Sequence, residues 1–231
     1  MTSPFALPAL SALALCAACG GKAVPTRYYQ LGAPSGSDPT GGPPGSMTRG
    51  SKPPGDRDVL VVEPLTTDAG YDDERIVYRT TPFRVDYYQY HRWTSAPGVM
   101  VGNYLERTLE GSGKFRAVVR EPTPNAPVVL AGRVLAIEEV DRSRTEWLGR
   151  IAIELVLSDD HTGAILWTER IDESEPLRQQ NPEGLAQALS IAMSRIAAHA
   201  VPAIEKAIRS MPDEHPATVS RSSAGGRTLQ P

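Results

Sequence analysis

The sequence predicts an α+β fold, a single domain with a mixed or antiparallel sheet and two main helices packed on it. Three observations carry this expectation. Ile151, Ile153, Leu155 and Leu157 alternate with other residues as a half-buried strand requires, and several further segments read as strands. Two segments instead repeat apolar residues at helical spacing, around Val101–Leu109 and Leu185–Ile208. The order strand, strand, strand, helix, four strands, helix suits a sheet with helices laid against it.

The elements follow from the N-terminal side. Residues 27–31 (RYYQL) form an aromatic-rich strand lying apart from the rest. Residues 32–57 come next, and Gly, Pro and Ser supply 17 of these 26 positions, so a flexible insert is expected. Residues 58–64 (DVLVVEP) read as a buried strand ended by Pro64. Residues 75–79 and 83–94 are two strands about the turn Thr80-Thr81-Pro82. Strict alternation in the second places Phe83, Val85, Tyr87, Gln89 and His91 on one face, with Arg84, Asp86, Tyr88, Tyr90 and Arg92 on the other.

A helix follows Pro97, with Val101, Tyr104, Leu105, Thr108 and Leu109 on one side, and stops near Gly111-Ser112-Gly113. Residues 115–120 return as a strand. Residues 126–141 and 145–158 form two long strands around a polar turn, and Asp159–Gly163 turns into the strand 164–173. Trp147 and Trp167 fall on these strands as core or edge packing. Asn181 caps the last helix and Pro182 opens it. Its stripe is Leu185, Leu189, Ala192, Met193, Ile196, Ala200, Ile204 and Ile208, and Pro202 should kink or split it. Beyond Met211 the composition is polar and a disordered tail is expected, so the organisation reads 1–18, 19–57, 58–210 and 211–231.

Composition removes some functions. Net charge is −3 with no long basic run, which argues against nucleic acid, where phosphate neutralisation supplies most of the affinity. Cys16 and Cys19 are the only cysteines, so neither a disulfide framework nor a cysteine-based metal site is available further along. No Gly-x-Ser-x-Gly elbow, phosphate loop or His-Glu-x-x-His motif occurs. His91, His161, His199 and His215 are scattered, and Asp159-Asp160-His161 reads as solvated turn formers. The expectation is a protein without catalytic residues, metal or cofactor.

The N-terminus carries an address. Residues 5–18 are an apolar run of 14, short of the roughly 20 needed to span a bilayer and suited to a signal-peptide core. Ala17 and Ala18 precede Cys19, and Gly20 and Gly21 follow. This resembles a bacterial lipobox, in which small residues precede a cysteine that is acylated and becomes the new N-terminus. Cys16 stands where Leu is usual, and residues 1–4 hold no Lys or Arg. The other reading of the run is an ordinary cleaved signal peptide with an incidental cysteine. Acylated at Cys19, the chain would be held by its lipid, each buried methylene contributing about 0.8 kcal/mol. By resemblance to lipoprotein sorting, Gly20, where Asp retains proteins in the inner membrane, favours the outer membrane.

Residues 27–31 (RYYQL), 76–79 (IVYR) and 85–93 (VDYYQYHRW), with Pro97, Tyr104-Leu105 and 111–115 (GSGKF), resemble the ABC-type transport auxiliary lipoproteins (PqiC-like) over roughly residues 27–208. The resemblance implies an outer-membrane lipoprotein, facing the periplasm, that works with ABC transporter subunits and an MCE-type protein. Such systems move phospholipid or other hydrophobic molecules. A structural or assembly lipoprotein of the outer membrane is the alternative, and a homo-oligomer is compatible with either. Tyr88, Tyr90, Arg92 and Trp93 lie in the densest aromatic–polar cluster and are the expected partner or ligand surface, since aromatic and Arg side chains dominate interface energetics. Arg75 and Arg79 are expected to pair with Asp72, Asp73 or Glu74.

Overall fold

In the computed structural model, residues 23–32, 59–121 and 126–211 are described. The expected signal segment 1–18, Cys19, residues 33–57 of the expected insert and the expected tail from residue 212 lie outside them. The elements are β1 (Arg27–Tyr29), β2 (Val59–Val62), β3 (Thr66–Thr67), β4 (Arg75–Thr81), β5 (Arg84–Trp93), α1 (Pro97–Gly111), β6 (Ala117–Val119), β7 (Val128–Asp141), β8 (Trp147–Asp159), β9 (Ile165–Pro176) and α2 (Pro182–Arg209). Among the described residues one mixed, open sheet of nine strands carries two helices, the α+β class expected.

Strand β7 is the spine. On one edge it pairs antiparallel with β8, which pairs with β9. Its other edge is shared by three short parallel strands in succession. β2 lies opposite Val128–Leu130, β3 opposite Arg133–Val134, and β4 opposite Glu138–Val140. From β2 the sheet continues to β6, and from β4 through β5 to β1. The two-residue β3 is too short to show alternation and could not be read from sequence.

The core lies between one sheet face and the two helices. Ile151, Ile153, Leu155 and Leu157 are fully buried, as is nearly the whole α2 stripe from Leu185 to Ile208. At Gly149 an added Cβ would lie 3.1–3.3 Å from Ala188, Leu189 and Leu185, so the missing side chain lets α2 approach β8. At Gly98 it would lie 2.3 Å from the Leu65 carbonyl oxygen, which fixes the start of α1 against the β2–β3 connection. The Asn181 side chain accepts from the Gly184 N–H at 2.8 Å, satisfying one free donor of the first turn of α2.

Pro202 does not split α2, which runs unbroken from Pro182 to Arg209. Ala200, Val201, Ile204 and Ile208 stay buried on both sides of it, while Pro202 itself is exposed. Packing on the sheet outweighs the loss of one backbone hydrogen bond.

Candidate functional site

The aromatic strand β5 does not keep strict alternation. Arg75 pairs with Arg92 and Val77 with Tyr87, so two steps of β4 face five of β5. The bulge turns His91 and Trp93 to the face of Tyr88, the side that packs under the helices, and leaves Gln89 and Tyr90 outside. Bulges are set by pairing with a neighbouring strand, which is why the two-face assignment for residues 83–92 fails after Tyr88.

The four residues expected to form one surface therefore part company. Trp93 is 1% exposed and belongs to the core, and its backbone N–H donates to the Glu74 carbonyl at 2.6 Å. Tyr88 is half-buried, and its hydroxyl donates to Glu139 Oε1 at 2.9 Å. Tyr90 remains exposed, and Arg92 reaches Asp73 at 3.8 Å. Arg75 also pairs with Asp73, at 2.8 Å, and its guanidinium lies 4.1 Å over the Tyr87 ring. Both arginines thus find the acidic stretch named in the sequence, whereas Arg79 turns to a different partner.

Under β5 an aromatic chain leads from β1 into the sheet. The Tyr29 hydroxyl is 2.9 Å from His91 Nδ1, His91 meets the Tyr88 ring edge-on at 5.6 Å, and Tyr78 lies 5.1 Å from Tyr88. Burial, and then Arg27, pushes the His91 pKa down. Beneath Tyr88 lie Glu139, fully buried, and Asp141 two residues on. Glu139 Oε2 and Asp141 Oδ1 are buried without a hydrogen-bond partner among the described residues. Burial pushes the Glu139 carboxyl up from 4.5 to about 7, and it raises Asp141 as well, so the pair retains a proton. Burial and the nearby Glu139 charge raise Tyr88, keeping its hydroxyl a donor.

This pair makes stability pH-dependent. The folded form of Glu139 binds its proton more tightly than the unfolded chain does. Its stabilising contribution is complete below about pH 4.5 and is lost as pH rises through about 7. Between pH 5 and pH 8, unfolding free energy should fall by on the order of 2 kcal/mol through this group. Urea titrations of the wild type and Glu139→Gln at both pH values check this, because the variant should lose that part of the decline.

On the opposite sheet face, Glu138 is 1% exposed and accepts from the Tyr71 hydroxyl at 2.6 Å, Arg79 Nε at 3.0 Å and Arg150 Nη1 at 2.9 Å. Arg150 also makes two bonds to Asp172, at 3.0 and 2.6 Å. Burial and Glu138 push the Tyr71 pKa up to about 12. These charges are mutually satisfied and act to hold β4, β7, β8 and β9 in register. Sequence spacing gives little sign of either carboxylate cluster, since Tyr71, Arg79 and Tyr88 lie 67, 59 and 51 residues from the carboxylates they meet.

No group of three or more His, Cys, Asp or Glu side chains among the described residues could hold a metal ion. Asp159 Oδ1 accepts from the backbone N–H groups of His161 and Thr162, a local turn arrangement. A shallow depression of about 40 Å³ is lined by Pro176, Arg178, Gly184, Gln187, Ala188 and Ile191. It is far smaller than the roughly 300 Å³ of a small-molecule site.

A family model described as ABC-type transport auxiliary lipoprotein component matches residues 43–201. The chain belongs to this family. The match takes in the carboxylate clusters, all of β2–β9 and most of α2. The family's lipoprotein character implies a lipid anchor, and no helix among the described residues is long and apolar enough to cross a membrane. A solved Xanthomonas campestris protein has a similar fold, with a TM-score of 0.60 at 17% identity over 82% of this chain and 91% of its own. An uncharacterised protein of known structure has the same TM-score at 15% identity, over 78% of this chain and 99% of its own. At such identity these likenesses concern the fold. No curated protein matches the chain.

Proposed function

We propose that this auxiliary lipoprotein is acylated at Cys19 and stands on the periplasmic face of the outer membrane as a non-catalytic accessory. Its partners are ABC transporter subunits and an MCE-type protein, and the cargo is phospholipid or another hydrophobic molecule. Family membership over residues 43–201 is the observation that carries this reading. The N-terminal pattern supports the anchor and Gly20 the outer membrane. Within the domain, Tyr90 and Arg92 are the members of the aromatic cluster placed to meet a partner, with Tyr88 behind them.

A tagged full chain, extracted from membranes and analysed by mass spectrometry of its co-purifying proteins, tests the reading. An ABC ATPase, its permease and an MCE protein are the expected companions. Recovery of an outer-membrane assembly machine instead would overturn it in favour of an assembly lipoprotein. With Tyr90→Ala and Arg92→Ala combined, recovery of the transporter should fall several-fold while the circular dichroism spectrum stays unchanged.

A further inference from the structure

The β4–β5 hairpin ends in an apolar tip that strand pairing does not require. Its turn is Pro82-Phe83, and Phe83 is 97% exposed. Hairpin turns ordinarily take Gly, Asn or Asp, and a Phe side chain left in water forgoes the gain of burying a large apolar surface. Arg79 donates to the Pro82 carbonyl at 3.0 Å, which steadies the turn from behind.

The tip lies on the side of the sheet from which the N-terminal tether leaves. β1 runs parallel to β5, with Arg27 opposite His91, so the chain before Arg27 departs toward the hairpin end of β5. Arg27 is seven residues short of Arg84 in this register, about 23 Å if fully extended and less across the bulge. Cys19 precedes Arg27 by eight residues, a reach of at most about 29 Å. A lipid on Cys19 and the Phe83 ring can therefore meet one membrane plane. β4 also runs parallel to β7, which puts the β7–β8 turn, with Arg142 and Arg144, and the β9–α2 connection, with Arg178, at this same end. Arg84 pairs with Asp86 and Arg142 with Glu146, and all four arginines are exposed.

The size of the tip decides what it meets. One exposed Phe offers about 200 Å² of surface, against roughly 800 Å² per partner in a stable protein interface. Insertion into a bilayer surface needs no complementary partner, and arginines beside an aromatic residue suit the headgroup layer. We propose that the Pro82-Phe83 tip inserts into the surface of the membrane that holds Cys19, so that the domain stands end-on with its arginine-bearing end against the lipid headgroups. This rests on the reading of Cys19 as the anchor.

The test uses the full chain purified from membranes and reconstituted in phosphatidylethanolamine–phosphatidylglycerol vesicles. An environment-sensitive fluorophore is attached through Phe83→Cys or, as a control on the opposite β8–β9 turn, through Thr162→Cys. The mass of the N-terminal peptide is recorded in parallel. With an acylated N-terminus, the label at 83 should shift to the blue and be quenched several-fold more by spin-labelled lipid than the label at 162. Equal, weak quenching at both positions with acylation intact overturns the tip proposal alone. A blue shift at 83 without quenching by lipid points to a protein partner and also overturns it. An unacylated N-terminus removes the anchor reading and the proposal with it.

Discussion

Replacing Trp93 with Ala is expected to destabilise the domain by about 3–5 kcal/mol, the range for removing a large aromatic side chain from a packed core. Trp93 is 1% exposed and lies where three pieces of chain meet. Its backbone N–H donates to the Glu74 carbonyl, it faces Tyr29 of β1 in register, and the backbone N–H of the next residue, Thr94, donates to the Tyr29 carbonyl at 2.9 Å. Strand β1 has only three residues, and the link from the Gly32 N–H to Ser190 Oγ at 2.7 Å is a further tie to the body. Loss of Trp93 should therefore lower the urea midpoint and also free β1, read as faster proteolytic cutting around residues 23–32. Trp93→Phe should cost much less. Its indole Nε1 is buried without a hydrogen-bond partner among the described residues, so that variant removes an unsatisfied donor along with some packing.

Glu138→Ala should cost about 3 kcal/mol, the lower end of the range for stripping one partner from a buried ion pair. The lower end applies because Arg79 and Arg150 keep 24% and 32% side-chain exposure and Arg150 retains Asp172. What is lost is the one acceptor shared by Tyr71, Arg79 and Arg150, so three donors from the β3–β4 connection, β4 and β8 lose their common centre. Glu138→Gln keeps the shape and part of the hydrogen bonding and should cost about half as much. Denaturant unfolding of both variants checks the order. Equal loss in the two would mean that the charge alone carries the effect.

Much of the fold is legible in the residues because local patterns and burial agree. The alternation in β8 and the stripe in α2 describe elements that bury one face, and Asn181-Pro182 marks where α2 starts. What escapes the sequence depends on distant pairing. The bulge in β5 exists only against β4, and it moves His91 and Trp93 to the core side. Glu138 and Glu139 look like solvated strand residues until Arg79, Arg150 and Tyr88 are brought to them from 59, 12 and 51 positions away. Pro202 reads as a kink or a split, and the split does not occur because α2 packs on a sheet that cannot be seen from the helix itself. For the candidate site, the aromatic cluster is visible as composition, but the division between its buried and exposed members is not.

The arrangement around β7 governs the order in which this chain can acquire structure as it is made. β2, β3 and β4 all line up on one edge of a strand that begins 66 residues after β2 ends. The β4–β5 hairpin can form early, whereas β2 first meets a strand partner in β6 and β3 must wait for β7. The β7–β8–β9 meander, by contrast, closes through short local turns and presents a finished edge to the waiting segments. Loops that must close over long separations slow folding and leave unpaired strand edges open to misassociation. The N-terminal half of the domain is therefore the part that a holding chaperone would have most reason to protect, until residues beyond the middle of the chain arrive to receive it.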